Sequence, residues 1–202
     1  MTLRLLSFSL SALLLSTPAF ADWKPQESTK FYRVSGTTEP ELYASIGERG
    51  PQMSLGRTIA QTTFKLTWQR KYENQNGACV LARAVPRLLI TYHLPKPANA
   101  LPEPVKTHWT KFSAGVERHE KFHGVIITDM VRAIERETVG LRVENDPGCT
   151  RIKTEMTRRL AALSQAQRQR SREYDRVELG DGGPVHRLIL EFVNRGATPP
   201  PL

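Results

Sequence analysis

A long stretch of helical periodicity constrains the fold of this 202-residue chain more than any other feature. Over residues 104–139, apolar residues and two histidines recur at steps of three or four, which places all of them on one face of a helix. This stripe consists of Trp109, Phe112, Val116, His119, His123, Ile127, Met130 and Ile134. Gly140 follows as a natural helix stop. A helix of about ten turns with one apolar face requires a second layer of structure to cover it.

The segments that precede this helix have the period of two that is typical of strands. Residues 58–70 alternate apolar with polar side chains, and so does the run that ends at residue 94. Their apolar faces carry Phe64, Leu66 and Trp68 in the first segment and Leu88, Ile90, Tyr92 and Leu94 in the second. The sequence Asn-Gln-Asn-Gly at residues 74–77 forms a turn between them. The two segments are therefore predicted to pair as an antiparallel hairpin.

A second helix is predicted after the turn at residues 146–148. It is expected to reach about Tyr174, and its polar side is rich in arginine. Its apolar side carries Ile152, Met156, Leu160 and Leu163. A last short apolar element is predicted at residues 186–193. Because strands come first and helices follow, the predicted class is α+β, with a small antiparallel sheet in the N-terminal half packed with the two long helices.

The N-terminus has the composition of a secretory signal. A short basic start precedes an apolar run over residues 5–15, which is too brief to span a bilayer, and small residues then lead to Ala21. Cleavage is predicted after Ala21, which would send the mature protein to the periplasm or the medium. We predict one domain over residues 22–196 and a disordered tail at residues 197–202, which is rich in proline.

Export determines how the two cysteines are interpreted. An oxidising compartment allows Cys79 and Cys149 to pair, so a disulfide bond is predicted. The loop that it closes spans 70 residues, and such a loop contributes about 4 kcal/mol in the chain-entropy description. Neither cysteine belongs to a CxxC pair, which disfavours a cysteine-based metal site.

The chain is basic, with 29 Lys and Arg against 20 Asp and Glu. In an exported protein such a surface can be attracted to anionic envelope polymers, and no nucleic-acid partner is expected. Arg168, Arg170 and Arg172 lie close together on the second predicted helix. They suggest an alternative to an enzyme: a non-enzymatic binding module whose basic helix contacts an anionic envelope partner.

Residues 119–123 read His-Glu-Lys-Phe-His, an HExxH sequence. On a helix His119 and His123 lie on one face, so both imidazoles can reach a single zinc ion. Glu120 lies about 100° away around the helix, where it can act as general base towards a water molecule without being a ligand. This pattern predicts an amide-hydrolysing zinc peptidase that acts on a peptide or protein substrate. Gly124 weakens the helix here and indicates the close approach of another segment or of substrate.

The third zinc ligand is left open by the sequence. Asp129 lies six residues after His123, but an unbroken helix turns it away from both histidines, so it is rejected. Glu144 and Glu155 follow in the next segment and fit surface charges better than ligands. Asp175 and His186 remain as the candidates, because the glycines around residue 180 could fold this region over the site.

The chain resembles a bacterial family of predicted secreted zinc-dependent proteases, a domain family of unknown function that carries HExxH. The resemblance covers most of the mature chain. It is carried by Tyr32-Arg33-Val34-Ser35-Gly36-Thr37, Glu41-Leu42, Gly50-Pro51, Trp68, Cys79, Leu94-Pro95, Trp109, Phe112, the sequence from His119 to Gly124, Cys149 and Tyr174-Asp175. The resemblance implies a zinc peptidase, an assignment that itself depends on HExxH.

This chain departs from the family pattern near its end. The family's Tyr-Asp is followed by Thr-x-His-Gly, whereas here Tyr174-Asp175 is followed by Arg-Val-Glu-Leu-Gly, and the next histidine is His186. If the late histidine of the family binds zinc, the third ligand of this chain shifts to Asp175 or His186.

Overall fold

A computed structural model describes residues 22–54 and 56–194 of the chain. The predicted signal at residues 1–21 and the predicted tail at residues 197–202 lie outside the described residues. No helix within the described ranges combines the length and the apolar character that a membrane span requires.

The order of elements confirms the α+β class. Strands and one short helix fill the first half of the chain, and three helices fill the second half. The elements are β1 (Gln26–Val34), α1 (Glu39–Arg49), β2 (Gln52–Met53), β3 (Gly56–Arg57), β4 (Gln61–Gln75), β5 (Ala78–Pro97), α2 (Val105–Thr138), β6 (Arg142–Val143), α3 (Arg151–Leu179) and α4 (Pro184–Asn194). Helix α1 begins at a capping box, in which the side chains of Thr38 and Glu41 each bind the other residue's backbone N–H.

Strand β5 is the centre of the main sheet. It pairs with β4 as the predicted antiparallel hairpin and with β1 on its other side, and the short β6 pairs with its first residues. The pairing of β1 with β5 is parallel, so the sheet is mixed rather than purely antiparallel. Side-chain periodicity does not encode the direction of pairing. That direction is set by the crossover through α1 and β4 that separates β1 from β5.

One face of this sheet packs on α2. Phe64 lies opposite Ile90 and Leu66 opposite Leu88, so these side chains share the helix-facing side. The predicted face of β5 is buried throughout, with Leu88, Ile90, Tyr92 and Leu94 at most 5% exposed. This core therefore holds α2 in a fixed position against the two longest strands.

Helices α2 and α3 form an antiparallel hairpin. Gly140 ends the turn after α2 with φ 84°, a conformation that glycine adopts without strain. The carboxylate of Asp146 caps α3 by accepting hydrogen bonds from the backbone N–H groups of Thr150, Arg151 and Ile152 at 2.8–3.1 Å. Helix α3 extends to Leu179, five residues beyond the predicted end.

A disulfide bond joins Cys79 of β5 to Cys149, as the sequence predicted. Around it lies a second, smaller core formed by side chains of β5 and α3. Its buried members are Cys79, Leu81, Ala84, Ile152 and Met156. The predicted last apolar element is helix α4, whose Phe192 stacks on Phe112 of α2 with ring centroids 4.4 Å apart.

Candidate metal centre

Two elements bring together three side chains that could bind a metal ion. His119 and His123 project from α2, and Asp175 of α3 faces them. The Nε2 atoms of the two histidines are 3.2 Å apart. Oδ1 of Asp175 lies 3.2 Å from Nε2 of His119 and 2.8 Å from Nε2 of His123. One atom of each side chain thus converges on the same point.

The three separations, 2.8–3.2 Å, are close to those between donor atoms in a zinc site. Donor atoms around a tetrahedral zinc ion, with bonds of about 2.0–2.1 Å, lie roughly 3.3 Å from one another. Hydrogen bonds from the two imidazoles to Asp175 account for two of the three contacts, but they leave no proton for the third, between the two Nε2 atoms, because an imidazole nitrogen carries at most one proton. Two imidazoles and a carboxylate are a common donor set for catalytic zinc. The residues therefore fit the metal.

The other candidates lie outside this cluster. His186 lies in the first turn of α4. Its Nδ1 accepts a hydrogen bond of 3.0 Å from the backbone N–H of Gly182, just before that helix. Asp129 forms an ion pair with Arg170 of α3 at 2.8 Å and is not one of the three converging side chains. Glu144 and Glu155 pair with arginines near the disulfide bond. Of the two candidates left open by the sequence, the structure brings Asp175 to the histidines.

Glu120 lies beside the cluster and is held by the edge of the sheet. Its side chain is buried, and its Oε2 accepts a hydrogen bond of 2.6 Å from the hydroxyl of Thr62 in β4. Burial raises the pKa of Glu120, although the Thr62 hydroxyl and the neighbouring histidines act in the opposite direction. A more basic carboxylate with one oxygen fixed by Thr62 is suited to accepting a proton on the other oxygen, Oε1.

The charges of His123 and Asp175 are strongly linked. Burial acts against the charged form of Asp175, but hydrogen bonds from His119 and His123 lower its pKa to about 2. Burial likewise opposes the charge of His123, and the contacts with Asp175 and the charge of Glu120 outweigh it and raise the pKa of His123. Asp175 is thus a carboxylate at neutral pH, the form that binds a metal ion.

A second layer of side chains surrounds the three donors. Nδ1 of His123 lies 3.4 Å from the hydroxyl of Ser171. Nδ1 of His119 is buried without a hydrogen-bond partner, and Oε2 of Glu178 lies 4.0 Å from it. The ring of Tyr174 stacks on the imidazole of His119 with centroids 4.8 Å apart and an interplanar angle of 17°. These contacts restrict both imidazoles to orientations that direct Nε2 at the cluster.

The cluster lies in a cleft of about 310 Å³. His119 and His123 are largely covered, whereas 42% of the Asp175 side chain is exposed. Of the three side chains, Asp175 is therefore the one in most contact with solvent.

Several site residues could not be identified from the sequence. Thr62 lies in a strand of alternating polarity and has no local motif, and Ser171 belongs to the arginine-rich run of α3. Tyr174 was marked in the sequence only as part of the Tyr-Asp pair that contributes to the family resemblance. Gly124 is the exception: a β-carbon there would collide with the hydroxyl of Tyr92 in β5, so the predicted close approach is confirmed.

One of the three arginines that suggested an anionic partner, Arg170, pairs with a carboxylate, and so do other arginines of α3. Arg170 pairs with Asp129, and Arg176 pairs with Glu173. Arg158 and Arg159 both bind Glu155. These ion pairs reduce the positive charge that α3 could offer to a partner.

Comparison with known proteins gives one result. The family described as "Bacterial protein of unknown function (DUF922)" matches residues 29–183, which is more than half of the chain and includes all elements that build the site. No curated protein and no solved structure matches the chain.

Proposed function

We propose that this chain, which belongs to the bacterial family of unknown function DUF922, is a zinc-dependent peptidase that is exported and cleaved after Ala21. The family membership names no activity, so the proposal depends on the site. His119, His123 and Asp175 are proposed as the zinc ligands and Glu120 as the general base. His186, the other candidate from the sequence, has no part in it.

One observation carries this proposal. Three donor atoms from two helices lie 2.8–3.2 Å from one another beside a buried carboxylate. An HExxH sequence fixes the two histidines and the glutamate through helical geometry alone. The position of Asp175, 52 residues after His123, depends on tertiary packing and is independent support.

The residues of the chain have separate tasks in peptide hydrolysis. A zinc ion held by the three donors would polarise the substrate carbonyl and lower the pKa of a water molecule to about 7. Glu120 accepts a proton from the attacking water at Oε1 and passes it to the nitrogen of the leaving amine. Thr62 keeps Oε2 of Glu120 in place, and Ser171 and Tyr174 orient the imidazoles.

Metal content and one substitution test the proposal. Purified mature protein should contain close to one zinc ion per chain. Glu120→Gln keeps the shape of the side chain and removes its basicity, so it should retain the zinc and lower peptide hydrolysis by about 10²–10⁴-fold. Glu117→Gln is the matched control, because Glu117 lies on α2 one turn earlier and pairs with Lys121 on the surface. Undiminished hydrolysis in Glu120→Gln would remove the assignment of the base.

A further inference from the structure

We infer that the site accepts an extended peptide segment with a bulky apolar side chain next to the cleaved bond, and that Phe64 helps to select this side chain. The inference depends on the proposed function for the position of the cleaved bond. It does not follow from zinc binding, since the donor residues are the same for any substrate.

The cleft that contains the donors continues into an apolar chamber. Its walls come from five elements, β2, β4, α2, α3 and α4, and from the residues that lead into β4. The apolar lining residues are Met53, Ile59, Ala60, Phe64, Val116, Ile127, Leu179 and Val185. Val116 precedes His119 by three residues, and Ile127 follows His123 by four, so both lie on the helix face that carries the imidazoles. A substrate carbonyl at the donors would therefore place a neighbouring side chain against apolar walls.

The volume of the cleft restricts the occupant. Pockets for small molecules span about 300–1,000 Å³, and this cleft of about 310 Å³ is at the lower limit. It can hold one large side chain and the adjoining backbone. Apart from His119, Glu120, His123 and Asp175, the lining residues of the cleft are apolar or uncharged. A charged side chain in the apolar part would therefore lose hydration without gaining a partner of opposite charge.

The sheet edge beside the donors favours an extended backbone. In the part of the chain that the structure describes, β4 pairs with β5 only, so its outer edge presents unpaired backbone N–H and C=O groups. Thr62 of this strand binds Glu120, and Phe64 two residues later lines the chamber. A peptide that adds a strand to this edge gains backbone hydrogen bonds and places alternate side chains towards the chamber.

Binding to an inactive variant tests the inference separately from catalysis. Zinc-loaded Glu120→Gln is titrated with fluorescent peptides that are identical except for one central residue, Leu, Phe, Ser or Asp, and binding is followed by anisotropy. The Leu and Phe peptides should bind roughly 10–200-fold more tightly than the Ser and Asp peptides. In wild-type protein the same preference should appear in kcat/KM, with cleavage next to the varied residue.

Two phenylalanines provide a matched comparison in the Glu120→Gln background. Phe64→Ala should reduce the preference for Leu and Phe about tenfold. Phe31→Ala should leave it unchanged, because Phe31 is similarly exposed on β1 but does not line the chamber. Met53→Ala, at another exposed lining residue, should also weaken the preference. Thermal unfolding of each variant shows whether the fold is intact.

The outcomes separate the two proposals. Apolar preference in binding without any hydrolysis by wild-type protein would support the chamber and overturn the peptidase. Hydrolysis with equal binding of all four peptides would support the peptidase and overturn the chamber. A preference that Phe64→Ala and Met53→Ala leave intact, or no binding of any peptide, would likewise overturn the chamber.

Discussion

The two ends of the α2–α3 hairpin are stabilised by different kinds of chemistry, since a disulfide bond ties the start of α3 to β5 at one end and side chains of α2 and α3 meet at the other. At the closed end, the disulfide bond between Cys79 and Cys149 lies among apolar residues, and Ile152 is fully buried. At the site end, the same two helices meet through His119, His123 and Asp175, and 42% of the Asp175 side chain is exposed. The closed end depends on a covalent bond and apolar packing, whereas the site end consists of ionisable side chains that are partly open to solvent.

This difference indicates how the fold combines stability with the proposed metal site. Ionisable groups that lose hydration make a poor structural fastening, because desolvation offsets much of their attraction. The disulfide bond and the apolar core at the closed end fix the hairpin, so the site end needs only to present its donors. The two ends should therefore respond differently to substitution, with stability lost at one end and metal binding at the other.

The largest expected effect is the loss of the disulfide bond. Replacing Cys79 and Cys149 by serine removes a cross-link over 70 residues, which should lower the free energy of unfolding by about 4 kcal/mol. Denaturant unfolding of oxidised wild type and the variant measures this loss. Zinc affinity at a temperature where the variant is folded should stay within about threefold of wild type. A large decrease in zinc affinity would show that the two ends are coupled.

The second effect is a loss of zinc affinity at the site end. Asp175→Ala should weaken zinc binding by more than about 100-fold, because even residues that only support a ligand change metal affinity by about 10–100-fold. Asp129→Ala is the control, since Asp129 is also 42% exposed and is also bonded to a partner across the helix pair. Zinc competition with a chelator measures both affinities. Equal affinities in the two variants would exclude Asp175 as a ligand.

A third, smaller effect tests how tightly the sheet is packed at the site end. Gly124→Ala places a methyl group against the Tyr92 hydroxyl, which should cost about 1–3 kcal/mol of stability. Tyr92→Phe in the same chain should recover part of this loss. Gly47→Ala is the opposite case, because no atom lies within 4 Å of a β-carbon there, and it should stabilise α1 by up to about 1 kcal/mol. If Gly124→Ala left the free energy of unfolding unchanged, β5 would be packed more loosely on α2 than the structure shows.

The smallest effect is a pH dependence at the closed end. Burial opposes the charge of Asp146, but three backbone N–H groups of α3 outweigh it and lower the pKa of this carboxyl. A lowered pKa in the folded state contributes stability above the unfolded value of about 3.9, and this stability is lost as the pH falls through the folded value. Asp146→Asn should therefore be less stable than wild type at pH 7, with a smaller difference near pH 3. Urea unfolding at both pH values measures it, and a constant difference would contradict the charge effect.

Local patterns in the sequence predicted much of the fold. The stripe from Trp109 to Ile134 gave the position of α2, and the alternation in β4 and β5 gave their pairing. The end of α3 was predicted at Tyr174 instead of Leu179, because the last turns carry few apolar residues in a regular pattern. That error left Asp175 just outside the predicted helix, and its orientation towards α2 could not be derived.

The sequence by itself determined the pairing of the histidines, the place of Glu120 beside them and the option of a disulfide bond. The first two follow from helical geometry, which relates residues that are close in sequence. The disulfide bond follows from the presence of two cysteines in an exported chain, which requires no knowledge of packing. Only the tertiary structure decided between Asp175 and His186, placed Thr62 against Glu120 and formed the apolar chamber. Those contacts join residues about 50 to 60 positions apart. Their geometry depends on the summed packing of the sheet and three helices, which no local pattern encodes.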